Sequence, residues 1–216
     1  MTTVFVVSAP SGSGKSTLVR WLLDHDKNLL FSVSYTTRPP RGAEVPGQDY
    51  HFISREEFDA RLARDEFLEW ADVFGFRYGT HISILDRAVA ENKDLILDID
   101  VEGARQLKER IKDAVSIFIL APSREILEQR LRRRSDQEQK LSRSNDIEAV
   151  IQNRLRKAAD EIRNYSAYDY VLVNDDLARS TEKLSAIVTA ERIRRVRVEP
   201  VVRSILSSFE LAAREG

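Results

Sequence analysis

The segment Val4-Phe5-Val6-Val7-Ser8 is a short apolar run, and it leads directly into Ala9-Pro10-Ser11-Gly12-Ser13-Gly14-Lys15-Ser16-Thr17. This reads as a buried strand, a glycine-rich turn and the start of a helix, which is the arrangement that cradles the phosphates of a nucleoside triphosphate. Gly12 and Gly14 allow successive backbone N–H groups to turn toward an anion, and the first turn of the following helix adds its positive dipole end. Lys15 is placed to reach the β and γ phosphates, and the Ser16 hydroxyl to complete the shell of a Mg²⁺ ion. A strict phosphate-loop pattern asks for glycine at the first position, where this chain has Ala9.

A strand of this kind needs parallel neighbours, and the sequence supplies them. Asp94-Leu95-Ile96-Leu97-Asp98-Ile99-Asp100 and Val115-Ser116-Ile117-Phe118-Ile119-Leu120 read as strands buried on both faces, with the helical segment Glu102 to Arg110 between them. Leu18, Val19, Leu22 and Leu23 give the first helix its apolar face. Ser123 is a cap for a helix carrying Ile126, Leu127 and Leu131, and Asn145 with Glu148 forms a capping-box pattern ahead of Val150, Ile151, Leu155 and Ala158. A last strand, Tyr170 to Val173, precedes a helix expected from about Arg179 to Arg195. The fold class is a three-layer α/β core around a parallel sheet.

Residues 31–80 have a different texture. Phe31 to Ser34 and Tyr50 to Ile53 are short strand-like pieces around a loop rich in Pro, Gly and Arg, Ser54 opens a helix, and Phe67 to Ala71 and Arg77 to Thr80 return as strands. A mixed insertion of this kind suits a lid or a lobe for a second substrate, whose closure would bring two substrates together and exclude water.

The chain has 216 residues, 42% of them apolar, and a formal net charge of -1 from 34 basic and 35 acidic residues. That length suffices for one domain with a full core or for a core plus a small insertion, and the balance of charge gives no global field to draw the chain to nucleic acid or an anionic membrane. With no cysteine there is no thiolate nucleophile, thiolate metal site or disulfide, and His25, His51 and His81 have no metal-ligand spacing. No apolar run reaches bilayer length, so the compartment implied is the cytosol.

Several further segments, in order, carry a family resemblance that covers nearly the whole chain. They are Ser34-Tyr35-Thr36-Thr37-Arg38-Pro39-Pro40-Arg41, Gly42 to Tyr50, Phe67-Leu68-Glu69-Trp70-Ala71, Tyr78-Gly79-Thr80, Ile96 to Asp100 and Val173-Asn174-Asp175-Asp176. Together with the phosphate loop, the sequence resembles guanylate kinase, the phosphate-loop nucleoside monophosphate kinase that phosphorylates GMP with ATP. A small residue at the position of Ala9 is common in that family.

The resemblance implies the following roles. Ala9 to Thr17 and Asn174 bind ATP, with Ser16 and, through water, Asp98 serving Mg²⁺. Arg38, Arg41, Tyr50 and Tyr78 hold the phosphate of GMP, a set in which two rigid guanidinium forks and two phenols suit a dianion. Glu69, Asp100, Ser34 and Thr80 complete the GMP site. Guanine presents N1–H and its 2-amino group as adjacent donors and O6 as an acceptor, so carboxylates on one edge and the Ser34 hydroxyl on the other suit it. The alternation Asp98-Ile99-Asp100 is expected to point both carboxylates to one side of a strand. Lys15, Asp98, Arg134 and Arg154 are the catalytic set, the last two as arginines of a lid over the triphosphate.

The lid is where the chain departs from the family. Ser135 stands in place of the usual glycine, and the polar segment Ser135 to Asp146 is longer than in typical members and is expected to be mobile without nucleotide. On this reading the nucleotide-binding core comprises 1–30 and 81–200 with the lid at about 130–154, the GMP lobe 31–80, and residues 201–216 an amphipathic extension packed on the core or on another subunit. The partners are ATP and GMP, with neither nucleic acid nor membrane, and the chain is a monomer or a homo-oligomer. The alternative implied by the same resemblance is a guanylate-kinase-like scaffold domain that binds protein segments without catalysis.

Overall fold

The computed structural model describes residues 2–73, 75–139 and 147–212, with the side chains of 134–139, 147 and 211–212 outside that description. Five parallel strands form the main sheet in the order β2 (Leu29–Phe31), β7 (Asp94–Asp98), β1 (Val4–Ser8), β8 (Val115–Leu120) and β9 (Tyr170–Val173). The three central strands are the three apolar runs, buried almost throughout. Parallel strands need crossover connections, and the helices that make them cover both faces.

Alternation along β1 shows how one strand serves two cores. Phe5 and Val7 face a cluster with Leu18 and Leu22 of α1 (Lys15–His25) and Leu184 and Val188 of α7 (Leu177–Arg192). Val4 and Val6 face the opposite cluster, with Ala88 of α3 (Ser83–Ala90) and Ala104 and Leu107 of α4 (Val101–Arg110). A third cluster joins α5 (Arg124–Gln139) to α6 (Ile147–Ile162) through Leu127, Leu131, Ile151 and Leu155.

A second sheet runs β4 (His51–Phe52), β3 (Tyr35–Thr36), β6 (Phe76–His81) and β5 (Phe67–Val73), antiparallel except for β3 with β4. Its helix α2 (Arg55–Ala63) is capped by Ser54, whose hydroxyl accepts from Glu57 N at 3.1 Å.

Four expectations need correction. The strand expected at Phe31 to Ser34 is Leu29–Phe31, and it joins the parallel sheet because Leu29 and Leu30 pair along the open edge of β7. Strand β7 ends at Asp98, and Asp100 is the N-cap of α4, so the two carboxylates do not share one face of a strand. Helix α5 continues through Gln139 into the polar segment expected to be loop; the expected mobility and the Asn145 cap fall on residues 140–146, outside the described residues. Helix α7 starts at Leu177 on the Asp176 cap and stops at Arg192, and an eighteen-residue helix, α8 (Arg195–Ala212), follows in place of a short extension from 201. Its Val202, Ile205, Leu206 and Phe209 are exposed and do not pack on the core.

One cation secures the end of the sheet away from the phosphate loop. Arg192 donates to Asp94 at 2.7 Å and to Asp26 at 2.6 Å, while the Thr3 N–H takes the other Asp94 oxygen at 2.7 Å. The arrangement ties α7 to the first residue of β7 and to the turn after α1. Replacing Arg192 with Ala leaves two carboxylates short of their cation and is expected to lower unfolding stability in urea by about 1–3 kcal/mol. A loss below about 0.5 kcal/mol, the range of an ordinary surface change, would contradict this role.

Candidate active site

Between β1 and α1 the chain folds into an open cradle. Gly12 and Gly14 have φ of 90° and 93°, the left-handed region that glycine adopts without strain. Ser13 N–H closes a turn on the Pro10 carbonyl at 3.1 Å. Gly14 is the N-cap of α1, and no side chain caps the helix or places an acid in its first turn. The leading N–H groups are therefore left for an anion, beside the exposed Ser16 and Thr17 hydroxyls.

The loop is braced from behind. Asn174 is 5% exposed and donates from its side-chain amide to the Ser13 carbonyl at 2.8 Å. Arg130 donates to the same carbonyl at 3.2 Å and to the Asn174 carbonyl at 3.0 Å. A Cβ on Gly14 would collide with the Asn174 amide. The resemblance places Asn174 among the ATP-binding residues, and here its amide nitrogen is turned to the Ser13 carbonyl of the loop. Arg130 lies on α5 between the buried Leu127 and Leu131, the one sequence signal that sets it apart from the exposed helix arginines around it.

Lys15 crosses to the end of β7, where its ammonium forms an ion pair with Asp98 and donates to the Ile99 carbonyl at 3.2 Å. Ser8, at the end of β1, donates to the Asp100 carbonyl at 3.3 Å. The Asp100 carboxylate accepts from Gly103 N at 2.8 Å and so caps α4. Lys15, Asp98 and Asp100 thus meet at the carboxyl ends of β1 and β7.

Among the four residues expected at a phosphate, Arg38, Tyr50 and Tyr78 come together. Arg38 is 4% exposed, donates to the Tyr78 hydroxyl at 3.1 Å, and lies 5.2 Å from the centre of the Tyr50 ring, which meets Tyr78 edge-on. Arg41 is exposed, and its backbone N–H donates to Glu44 at 2.8 Å. Sequence reasoning passed over Glu44. Its carboxylate receives both arms of the Arg38 guanidinium, at 2.8 and 3.0 Å, and this pairing holds the Glu44 carboxyl below the usual range.

Glu69 is 4% exposed on β5, opposite the fully buried Thr80 of β6. Burial pushes its carboxyl up to about 7; the Asp100 charge adds to the shift and hydrogen bonding from Thr80 opposes it. Ser34 is half-buried just ahead of β3, and its carbonyl accepts from His51 N at 2.9 Å. Of the two arginines expected in the lid, Arg154 lies on α6, partly buried; Arg134 lies on α5 with its side chain outside the described residues. Arg132 ties these two helices together by donating to Glu128 on its own helix and Glu148 on α6, at 2.7 and 2.8 Å.

The profile of the family described as guanylate kinase matches residues 1–191. The chain belongs to the guanylate kinase family. It is 52% identical over 216 residues to the guanylate kinase of Koribacter versatilis, covering 99% of this chain and 90% of that one. With the guanylate kinase of Geobacter sulfurreducens it shares 47% identity over 204 residues, covering 94% and 96%. The crystal structure of guanylate kinase from Anaplasma phagocytophilum superposes with a TM-score of 0.71 at 36% identity, covering 91% of this chain and 89% of that one. This family match spans the whole of both sheets and ends before α8 begins at Arg195.

The buried Glu69 carboxyl is shifted well above the ordinary carboxylate range. Since the fold favours its protonated form, the stability that Glu69 contributes is complete below pH 4.5 and is lost as pH rises through about 7. In side-chain ¹³C-labelled protein, with E69Q assigning the resonance, the carboxyl is expected to titrate near pH 7. A midpoint below about 5, within the ordinary carboxylate range, would contradict the described burial.

Proposed function

We propose that the chain transfers the γ-phosphoryl group of ATP to GMP, giving ADP and GDP, through a ternary complex. The observation that carries this reading is the meeting of an uncapped phosphate loop with a buried acidic edge at the Lys15–Asp98 ion pair. Ala9 to Thr17 bind the triphosphate, with Asn174 and Arg130 fixing the shape of the loop. Arg38, Arg41, Tyr50 and Tyr78 take the monophosphate, the incoming dianion competing with Glu44 for the Arg38 fork. Glu69, Asp100, Ser34 and Thr80 receive guanine.

The acidic edge explains the choice of base. Guanine brings two adjacent N–H donors to it, whereas adenine presents a ring nitrogen acceptor there. Each buried acceptor left unpaired costs roughly 1–3 kcal/mol, about tenfold or more in discrimination. The scaffold alternative leaves the open loop and the Lys15 contacts without a use.

The phosphoryl transfer needs alignment and charge stabilisation rather than a covalent intermediate. Lys15 offsets charge on the transferring group, and Arg134 and Arg154 add cationic donors from the lid. Ser16 and Asp98 are hard oxygen donors of the kind Mg²⁺ takes, and among the described residues no cluster of three or more His, Asp or Glu offers a caged metal site. That donor set suits an ion carried in by the nucleotide: Ser16 would hold it directly and Asp98 through water. The ion would supply neutralising charge between the β and γ phosphates. In this division of labour, 1–30 and 81–200 are the core, 31–80 is the lobe that closes on it, and about 130–154 is the lid. No helix among the described residues is long and apolar enough to cross a membrane, and we place the reaction in the cytosol.

The direct test measures ADP release with GMP, AMP, CMP and UMP offered separately. GMP is expected to be preferred by about 100-fold or more, the product of two unpaired acceptors for the wrong base. K15A is expected to keep its fold by circular dichroism and to lose about 10²–10³-fold in turnover. AMP used as well as GMP, or near-parental turnover in folded K15A, would overturn the assignment.

A further inference from the structure

Helix α4 packs on β5, with Ala104 and Leu107 in the same buried cluster as Leu68, and one side chain adds a polar clasp. Gln106 donates from Nε2 to the Trp70 carbonyl at 2.9 Å and accepts from Trp70 N–H at 3.1 Å, clasping both backbone polar groups of that residue. Gly103 lies three positions earlier, on the same face of the helix. The clasp therefore brings Gly103 against Glu69, the neighbour of Trp70 on β5. A Cβ on Gly103 would overlap Glu69 Oε2 and stand 3.1 Å from Glu69 Cδ and 3.4 Å from Asp100 Oδ1.

Backbone conformation does not call for glycine there. Gly103 is inside a helix and is not among the residues of positive φ. In that setting glycine costs about 1 kcal/mol relative to alanine. What it provides is space on one side and an N–H on the other, the latter holding Asp100 at 2.8 Å.

We infer that Gly103 is a specificity-determining residue, whose missing side chain admits the Glu69 carboxylate and whose N–H fixes Asp100, so that two acids converge on one edge of the base pocket. Both carboxylates come within 3.4 Å of the point a Cβ would occupy. Two acceptors so close together match two adjacent N–H donors on a purine. Alanine at 103 displaces Glu69 from this position. It leaves the phosphate loop untouched, because the displaced group is on β5 and the helix gains propensity. The inference rests on the pocket being a guanine site, as proposed above.

The test compares the parent, G103A, E69A and the E69A/G103A double variant by thermal unfolding, ATP titration and kcat/KM for GMP. G103A is expected to unfold at or above the parental temperature, to bind ATP as the parent does, and to lose about tenfold or more in kcat/KM for GMP. In the E69A background, where nothing remains to be displaced, the same substitution is expected to change kcat/KM by less than about twofold, the signature of coupled positions. Parental GMP efficiency in G103A, or equal losses in the two backgrounds, would overturn the inference. If G103A fails to fold, recovery in the double variant supports the clash with Glu69, and failure of both overturns it. A parent inactive on GMP would sink the functional reading separately. The geometry is then read from the Glu69 titration, which moves in G103A if the carboxyl has been displaced and stays put if the inference is wrong.

Discussion

Strand β1 pairs with β7 in parallel, with Val7 opposite Asp98, and this register brings the entrance of the phosphate loop level with the acid that meets Lys15. The rest of the site is reached by continuing along the chain from that pairing. Ile99 offers its carbonyl to Lys15, Asp100 turns the backbone into α4, and α4 carries Gly103 and Gln106 to β5 and Glu69. A slip of one residue in β7 would send Asp98 to the opposite face and exchange the two hydrophobic clusters, so burial of Leu95 and Leu97 on one side and Ile96 on the other holds the Lys15–Asp98 geometry in place. Core packing and site geometry are thus set by the same register.

The two halves of the site carry complementary unmet needs. The phosphate loop presents backbone N–H groups and a lysine to an anion. The base edge gathers Glu69 and Asp100, and burial there makes the charged form of Glu69 costly until donors arrive. Arg38 stands in the other state, already paired with Glu44. On the proposed reading, GMP addresses both the acidic edge and the arginine, its base bringing donors and its phosphate a dianion. On that reading, a ligand that engages both ends favours closure of the lobe on the core, which would couple base recognition to assembly of the site.

Much of this was legible in the sequence wherever the cause is local. The buried runs of β1, β7 and β8, the glycines of the loop and the Ser54 and Ser123 helix starts follow from residue type and spacing, whereas the candidate base and phosphate ligands came from the family resemblance. What escaped notice depends on contacts between distant segments. Glu44 looks like a loop acid until Arg38 folds back on it, and Arg130 looks like one of several helix arginines until the helix is docked behind Ser13. Gly103 reads as a weak point in a helix because nothing in its neighbourhood of sequence announces Glu69. Asp100 was misjudged for a related reason: alternation assumes the strand goes on, and a capping aspartate ends it. The α8 spacing correctly indicated an amphipathic helix, but the exposed face shows that amphipathicity alone does not supply a packing partner.

The central claim is that triphosphate and guanine sites lie side by side across Lys15 and Asp98, and it is tested most directly with a single ligand that fills both. Adenosine and guanosine joined 5′ to 5′ by a chain of phosphates should bind, by calorimetry, about 100-fold or more tighter than either ATP or GMP alone, because the second half binds at high effective concentration. E69Q should remove most of that gain while leaving the affinity for ATP unchanged. A joined ligand that binds no better than ATP, or a gain that E69Q leaves intact, would contradict the account.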